Sequence, residues 1–413
     1  MKLLVITPLV PYPLNEGGKI SQFAFAEKLQ NEVDLYYIVK ATDKATLRYC
    51  EEFKKMLPNA QVKIIDYSSQ QQKRSWLRIF VDKFYKIKQV FEKKYSNNKF
   101  NDYNREINFF SEINRTEIDE IISYIDEVVP DIIQVEHTGY INLVEALSKV
   151  VKTIFVHHEI QYARLESFKA PESNYEVYKY NLVKDAELAL LSKYDAIFTF
   201  SDADTKRLEN NMNGVTKLFT SPFPILDTYF SEVLKDTFDI EKIVFIGPEG
   251  HQPNFDAVIW YLENIAEAVF NTTGLKTHVA GIWSEESIKK YSRPFLIFDG
   301  FVEDMLEHNR NSLVIVPLRL GSGIRTKILY SLAQSLPIVS TSIGCEGLGV
   351  RDKEHLLICD SVEEFKDGIV DIVRNKHMAY EIACNGYNYV KNNFSQDVLI
   401  ARRISIYEQL ISK

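Results

Sequence analysis

The chain has 413 residues, 46% of them hydrophobic and 26% charged, and a net charge of −8. Its length asks for two domains rather than one core, and its acidic balance argues against a general nucleic-acid binder, whose footprint would be basic. Four cysteines (Cys50, Cys345, Cys359, Cys384) share no paired spacing, so neither a zinc site nor a disulfide framework is expected and reduced thiols in the cytoplasm are the simpler reading. No apolar run approaches the ~20 residues that a membrane span needs. The first strand starts almost at Met1 without a charged leader, so no secretory signal is expected.

In chain order, the first apolar β-branched run is Leu3–Thr7. It enters a loop, Pro8 to Pro13, and then Asn15-Glu16-Gly17-Gly18-Lys19 before a helical pattern. Gly17-Gly18 would let backbone approach a ligand at the carboxyl end of that strand, where open α/β sheets bind ligands. A plain glycine turn is the simpler reading of Gly-Gly alone. Strands are next expected at Leu35–Val39 and Val62–Tyr67. Residues 73–99 then carry nine Lys or Arg with Leu77, Phe80, Phe84, Ile87 and Phe91 at helical spacing. Such a basic amphipathic helix can lie on an anionic bilayer, making peripheral membrane contact. It can equally pack on the domain with a solvated basic face.

Strands Ile132–Val135 and Thr153–Val156 each run into histidine, as DIIQVEH ending at His137 and TIFVHHE holding His157 and His158. Adjacent strand residues point to opposite faces, so His157, His158 and Glu159 do not converge on a metal. A strand-end histidine bonded to backbone is as common as a catalytic one. After Ala196–Phe200, Ser201-Asp202-Ala203-Asp204 spells D-x-D, but its place before a helical stretch reads as an N-cap with acids in the first turn. Ser221-Pro222-Phe223-Pro224 breaks regular structure and marks a domain boundary.

The second half repeats the pattern with Lys242–Ile246, Thr277–Ala280, Phe295–Phe298, Leu313–Val316, Ile338–Thr341 and Leu356–Cys359. Continuous apolar runs mean strands covered on both faces, hence parallel sheets. The fold class expected is therefore α/β, two doubly wound Rossmann-like parallel-sheet domains facing across a cleft. Their expected bounds are 1–222 and 223–393, with 394–413 as a C-terminal amphipathic helix. Between Leu313–Val316 and Ile338–Thr341, Gly321-Ser322-Gly323 opens a helical segment. Free N–H groups of a first helical turn make an anion site. Arg325 and Lys327 sit where a lone helix prefers acids, so the anion should carry more than one charge, as a diphosphate does.

In that order of features, residues 312–348 resemble the nucleotide-sugar half of the group 1 (family 4-like) glycosyltransferases of the GT-B fold. The matching pieces are Pro317-Leu318-Arg319, the G-x-G-x-R-x-K run from Gly321 to Lys327, and Gly344-Cys345-Glu346-Gly347-Leu348. The resemblance extends to Lys242–Gly247 with the Pro253-Asn254 helix start, and to Gly300-Phe301-Val302-Glu303-Asp304. It implies a retaining transferase that uses a nucleotide-diphosphate sugar as co-substrate, a glycan or lipid-linked acceptor, and neither metal nor other cofactor. It further implies a cytoplasmic place of action, at the inner membrane face for a lipid-linked acceptor, and a C-terminal helix that packs back on the first domain.

Carried over residue by residue, the resemblance implies His137 and His157 as catalytic candidates from the first domain, and Arg325 and Lys327 as the groups meeting leaving charge. Gly17, Gly18, Gly247, Phe301, Gly321, Ser322, Gly323, Tyr330 and Glu346 are the donor-binding candidates. Many group 1 enzymes place Arg and Lys after the Lys242–Gly247 strand, and this chain has neither, which shifts that duty to Arg325 and Lys327. Tyr330 stands where the family's ribose-binding acid would be. That departure keeps open an alternative, a non-catalytic GT-B relative acting as a binding or partner subunit. A dehydrogenase would need GxGxxG after the first strand, and an epimerase a carboxylate pair for proton abstraction; the chain offers neither.

Overall fold

The computed structural model describes residues 1–14, 17–68, 112–149, 151–168, 171–231, 238–321 and 325–412. The basic segment 73–99, and Ser322 and Gly323 of the glycine turn, lie outside the described residues. The chain forms two compact units, Met1–Pro222 with Ile400–Lys413, and Phe223–Leu399. The last helix, Gln396–Ile411, thus contributes its first turn to the second unit and the remainder to the first.

The first unit is built on a seven-stranded parallel sheet. Its strands are β1 (Lys2–Ile6), β2 (Asp34–Ala41), β3 (Gln61–Asp66), β4 (Ile132–Glu136), β5 (Lys152–His157), β6 (Ala196–Thr199) and β7 (Lys217–Thr220), in the order β3-β2-β1-β4-β5-β6-β7. Leu3, Leu4, Ile133, Val135, Phe155 and Phe198 are fully or almost fully buried, as helices on both faces require. β7 escaped the sequence reading because none of its four residues is fully buried and no continuous apolar run marks it.

The second unit has six parallel strands, β8 (Lys242–Ile246), β9 (Thr277–Ala280), β10 (Leu296–Gly300), β11 (Ser312–Val316), β12 (Ile338–Ser340) and β13 (Leu357–Ile358), in the order β10-β9-β8-β11-β12-β13. Its core gathers Phe245, Tyr261, Val314, Ile315, Leu329, Leu332 and Phe365. The unit's two ends are stitched: Ile225 donates its N–H to the Phe394 carbonyl (2.8 Å), and the Asp227 N–H bonds Gln396 Oε1 (2.9 Å).

Both sheets reverse their winding once, between β1 and β4 in the first unit and between β8 and β11 in the second. At such a point the loops leaving the two neighbouring strands go to opposite faces and open a crevice at the carboxyl ends. Helix starts at other strand ends are fixed by ordinary chemistry. Ser201 caps Asp202–Glu209 by accepting from the Asp204 N–H (3.1 Å), so the D-x-D spelling is a helix start. Ser361 and Glu364 close a reciprocal capping box on Val362–Arg374.

Candidate active site

In the second unit, the crevice between β8 and β11 is lined by two glycine loops. Gly247 ends β8, and a Cβ placed on it would fall 2.5 Å from Asn254 Nδ2. Gly281, with φ 139°, presses on Gly247 so closely that its own Cβ would meet the Gly247 carbonyl carbon at 2.6 Å. Only glycine allows both approaches. Trp283 Nε1 then donates to the Gly247 carbonyl (3.1 Å), fixing the loop from below.

Asn254, on helix Gln252–Asn264, ties this loop to the other side of the crevice. Its Nδ2 donates to the Pro248 carbonyl (3.1 Å), and its Oδ1 accepts from Lys327 Nζ (2.8 Å). Lys327 lies one residue into the helix Thr326–Ala333, with Nζ 4.5 Å from the Phe245 ring centre. Its hydrogen-bond partner is therefore a neutral amide and its lining partly aromatic. Burial, aided by the like charge of Arg325, pulls its pKa from 10.5 down to about 7.

Arg325 is also buried, 8% exposed, and burial lowers its pKa while the charge of Glu346 works the other way. It caps the helix rather than sitting inside its first turn, because the helix begins at Thr326. One guanidinium nitrogen lies 3.3 Å from where a Gly321 Cβ would stand, and Gly321 has φ 110°. Glu346 is exposed on the loop after β12. That loop is held to the exit of β11 by the Thr341 hydroxyl, which bonds the Leu318 carbonyl and accepts from the Gly344 N–H (3.0 Å). Phe301 is 71% exposed just beyond β10. Tyr330 packs its ring on Tyr229, centroids 4.7 Å apart, and burial raises its hydroxyl pKa, so the hydroxyl stays neutral. Arg319 is engaged elsewhere, in a two-point pair with Asp256 (3.0 and 2.6 Å).

In the first unit, the crevice between β1 and β4 gathers Gln22, Glu136, His137 and His158. Gln22 comes from helix Gly17–Leu29, whose Gly18 leaves room beside the His158 ring: a Cβ there would be 4.0 Å from Nδ1. Gln22 Nε2 lies 2.6 Å from His137 Nε2, and 3.2 Å from both His158 Nε2 and Glu136 Oε2. The His137 and His158 rings stack with centroids 3.8 Å apart. Burial, then the His158 charge, holds the His137 pKa well below the usual histidine value, so this ring is neutral. With Nε2 accepting from the Gln22 amide, the proton of the neutral ring sits on Nδ1.

Glu136 and His158 pair beneath, Oε2 to Nε2 at 2.6 Å. Burial pushes the Glu136 pKa up, but the bond and charge of His158, then Arg403 and the Gln134 amide, outweigh it and hold the carboxyl below its ordinary value. Behind Glu136 runs a relay. Gln134 Nε2 donates to Glu136 Oε1 (2.6 Å), and the Tyr407 hydroxyl of the last helix donates to Gln134 Oε1 (2.6 Å). Arg403, on the same helix, stacks on Phe25 (3.3 Å to the ring centre) and donates from Nε to Ser221 Oγ (2.7 Å). His137 itself has φ 66° and ψ 144°, a conformation that side-chain-bearing residues adopt only under constraint.

His157 is placed differently from the expectation. It is the last residue of β5, its side chain is fully buried, and its Nε2 lies 2.9 Å from Glu187 Oε1. Glu187 in turn accepts from the backbone of Gln161 (3.0 Å) and Tyr162 (3.2 Å), so the pair anchors the start of helix Gln161–Phe168. Strand alternation sends His157 into the core and the next residue, His158, into the crevice. Gln22, Glu136 and His158 were not singled out from sequence, although Glu136 stands directly before His137 and Gln22 one helical turn after Gly18. Gln22 Oε1 is buried with no hydrogen-bond partner among the described residues.

Residues 240–375 match the model of the family described as Glycosyl transferases group 1. A curated relative, an uncharacterized 44.6 kDa protein in the cps region of Klebsiella pneumoniae, is 26% identical over 172 residues, 38% of this chain. The chain spans about 44% of that relative's length. Among solved structures, HepE of Anabaena in complex with UDP and glucose aligns over 98% of both chains at 10% identity, TM-score 0.63. TarM of S. aureus, in a complex with fondaparinux, alpha-GlcNAc-glycerol and UDP, aligns over 98% of this chain and 100% of its own, with 14% identity and TM-score 0.66. Sucrose-phosphate synthase of Thermosynechococcus elongatus aligns over the full length of both at 12% identity, TM-score 0.66. The chain therefore has the GT-B fold, and within its second unit residues 240–375 match the group 1 glycosyltransferase model.

Proposed function

We propose that the chain transfers a sugar from a nucleotide-diphosphate sugar to a hydroxyl of a glycan or lipid-linked acceptor, with retention of configuration and without a metal. The observation that carries this reading is Lys327, a buried ammonium bonded to a neutral amide beside a second buried cation, Arg325. Two buried cations at a sheet's switch point are stabilised by a multiply charged anion, and a diphosphate at the crevice supplies that charge.

As the glycosidic bond stretches, the leaving diphosphate gathers negative charge, which Arg325 and Lys327 meet in a site already organised for it. Glu346 is assigned to the sugar hydroxyls. In the first unit, the Nδ1–H of neutral His137 is the donor offered to a sugar hydroxyl, with Nε2 held by the Gln22 amide. His158 and Glu136 support that pair. No side chain is assigned as a covalent nucleophile, so the acceptor enters on the face the diphosphate leaves. We place the reaction in the cytoplasm, at the inner membrane face for a lipid-linked acceptor. The UDP held by HepE and TarM makes UDP the first base to try.

The test is a thermal-shift titration with UDP, GDP, ADP and their sugars, with EDTA present. A ligand at a hundredfold its dissociation constant stabilises by about 2.7 kcal/mol. One diphosphate should raise the melting point in the native chain and fail to do so in Arg325→Ala. No response to any diphosphate would defeat the reading. Binding without turnover of any nucleotide sugar would leave the chain as a binding subunit.

A further inference from the structure

We propose that His278, Asp299 and His308 form a binding site for a divalent transition cation of the zinc class, separate from the residues assigned to transfer. The three residues come from different elements of the second unit: β9, β10 and the short helix Met305–Asn309. One donor atom of each lies within 4.8 Å of the other two. His278 Nδ1 is 3.1 Å from Asp299 Oδ1, and His308 Nε2 is 3.0 Å from Asp299 Oδ2. Zinc bonds of about 2.0–2.2 Å to nitrogen and oxygen place neighbouring tetrahedral donors about 3.3 Å apart. The two histidine–carboxylate spacings come within a few tenths of an ångström of that separation, and the third pair lies within 4.8 Å.

A hydrogen bond has nearly the same length, so the outer contacts of the trio and direct metal titration decide between the two. Asn309 is 1% exposed, and its Nδ2 donates to Gln334 Oε1 (3.2 Å), which fixes the amide's orientation. Its Oδ1 then faces His308 Nδ1 at 3.1 Å. That oxygen can only accept, so Nδ1 carries the proton. The other nitrogen, Nε2, is turned to the carboxylate, 3.0 Å from Asp299 Oδ2. Holding one ring nitrogen by an outer hydrogen bond so that the other is free is also how metal-ligating histidines are oriented.

Two imidazoles and one carboxylate suit zinc, cobalt or nickel, whereas calcium and magnesium take oxygen ligands in larger number. The side chains of His278, Asp299 and His308 are 21%, 18% and 14% exposed, so the remaining coordination position opens to water. A bound ion would tie the helix Met305–Asn309 to β10, the edge strand, and to β9. Its ligands Asp299 and His308 bracket the loop that presents Phe301. The inference shares no residue with the diphosphate assignment and stands whether or not the chain transfers sugar.

The full chain, stripped with EDTA and dialysed, is titrated with Zn²⁺ by calorimetry and with Co²⁺ by visible absorption. The expected result is one ion per chain with a Kd of about 1 μM or tighter, d–d bands of bound Co²⁺, and a melting point raised by Zn²⁺. His308→Asn and Asp299→Asn should each weaken binding about tenfold or more. Melting both variants in EDTA confirms that they fold, and His278→Gln replaces either that does not. Absence of saturable binding up to about 100 μM would show a trio bridged by protons alone and overturn the site. Equal affinity in the variants would place the ion elsewhere, for instance on cysteine, and overturn it as well.

Discussion

Replacing Lys327 by methionine tests the diphosphate assignment through protons rather than through activity. Burial and Arg325 bring its pKa from 10.5 to about 7, a fall of about 3.5 pH units. At 1.36 kcal/mol per unit, holding this ammonium charged in the unliganded protein costs about 5 kcal/mol. At pH 7 the group is then about half protonated, and at pH 8.5 almost wholly neutral. A bound diphosphate restores the charged form, so binding should take up about half a proton at pH 7 and about one at pH 8.5. Calorimetry of UDP binding in two buffers of different ionisation enthalpy reads that number directly. The nucleotide's own ionisation is common to both proteins and cancels in the difference between native chain and Lys327→Met. Affinity of the native chain should weaken by nearly tenfold per pH unit above about pH 7.

The sign for stability runs the other way. The folded pKa lies below the unfolded one, so between about pH 7 and 10.5 the unfolded chain holds the extra proton. Unliganded stability attributable to this group therefore rises with pH across that window, by up to about 1.4 kcal/mol per unit, and Lys327→Met should lack the rise. Equal proton uptake by both proteins at pH 8.5, or none by either, would refute the placement of Lys327 at the diphosphate.

Three further substitutions separate chemistry from support. His137→Gly removes the ring but relieves its positive-φ backbone, so the melting point should hold or rise while kcat falls by about a hundredfold; a melting point several degrees lower would mean the ring serves packing. His157→Ala empties a fully buried ring site beside Glu187 and should cost about 3 kcal/mol in denaturant melts, with kcat of the folded enzyme near native; a selective kcat loss would return His157 to the site. Gly247→Ala drives a Cβ into Asn254 and should cost about 1–3 kcal/mol of stability while weakening UDP binding, because Asn254 holds Lys327; native affinity would show that the loop tolerates the shift.

What could be read from the chain alone follows the range of the forces involved. Continuous apolar runs announced twelve of the thirteen strands among the described residues because covering a parallel strand on both faces is a local demand on composition. β7 made no such demand and went unread. Gly247 and Gly321 could be singled out because glycine's permission for close approach also belongs to one residue at a time. The charge balance of Lys327 could not, since it depends on Asn254, 73 residues earlier in the chain.

The histidines show the same division at the finest scale. Sequence marked both strand ends, but whether His157 or His158 meets His137 turns on where the pleat of β5 stops, a matter of one residue. That parity is set by pairing with β4 and β6, where Glu136 lies opposite Val156 and His157 opposite Thr199. The relay behind Glu136 is still less local, reaching 273 residues along the chain from Gln134 to Tyr407. No spacing rule could have connected them. It follows that Tyr407→Phe is the informative probe of that relay: it removes one hydroxyl and about 1 kcal/mol of hydrogen bonding. If the relay positions Glu136 and His158 for substrate, kcat should fall several-fold with UDP affinity unchanged, since the donor assignment rests on the other unit. If only the melting point moves, the last helix supports the fold alone and the site ends at Glu136.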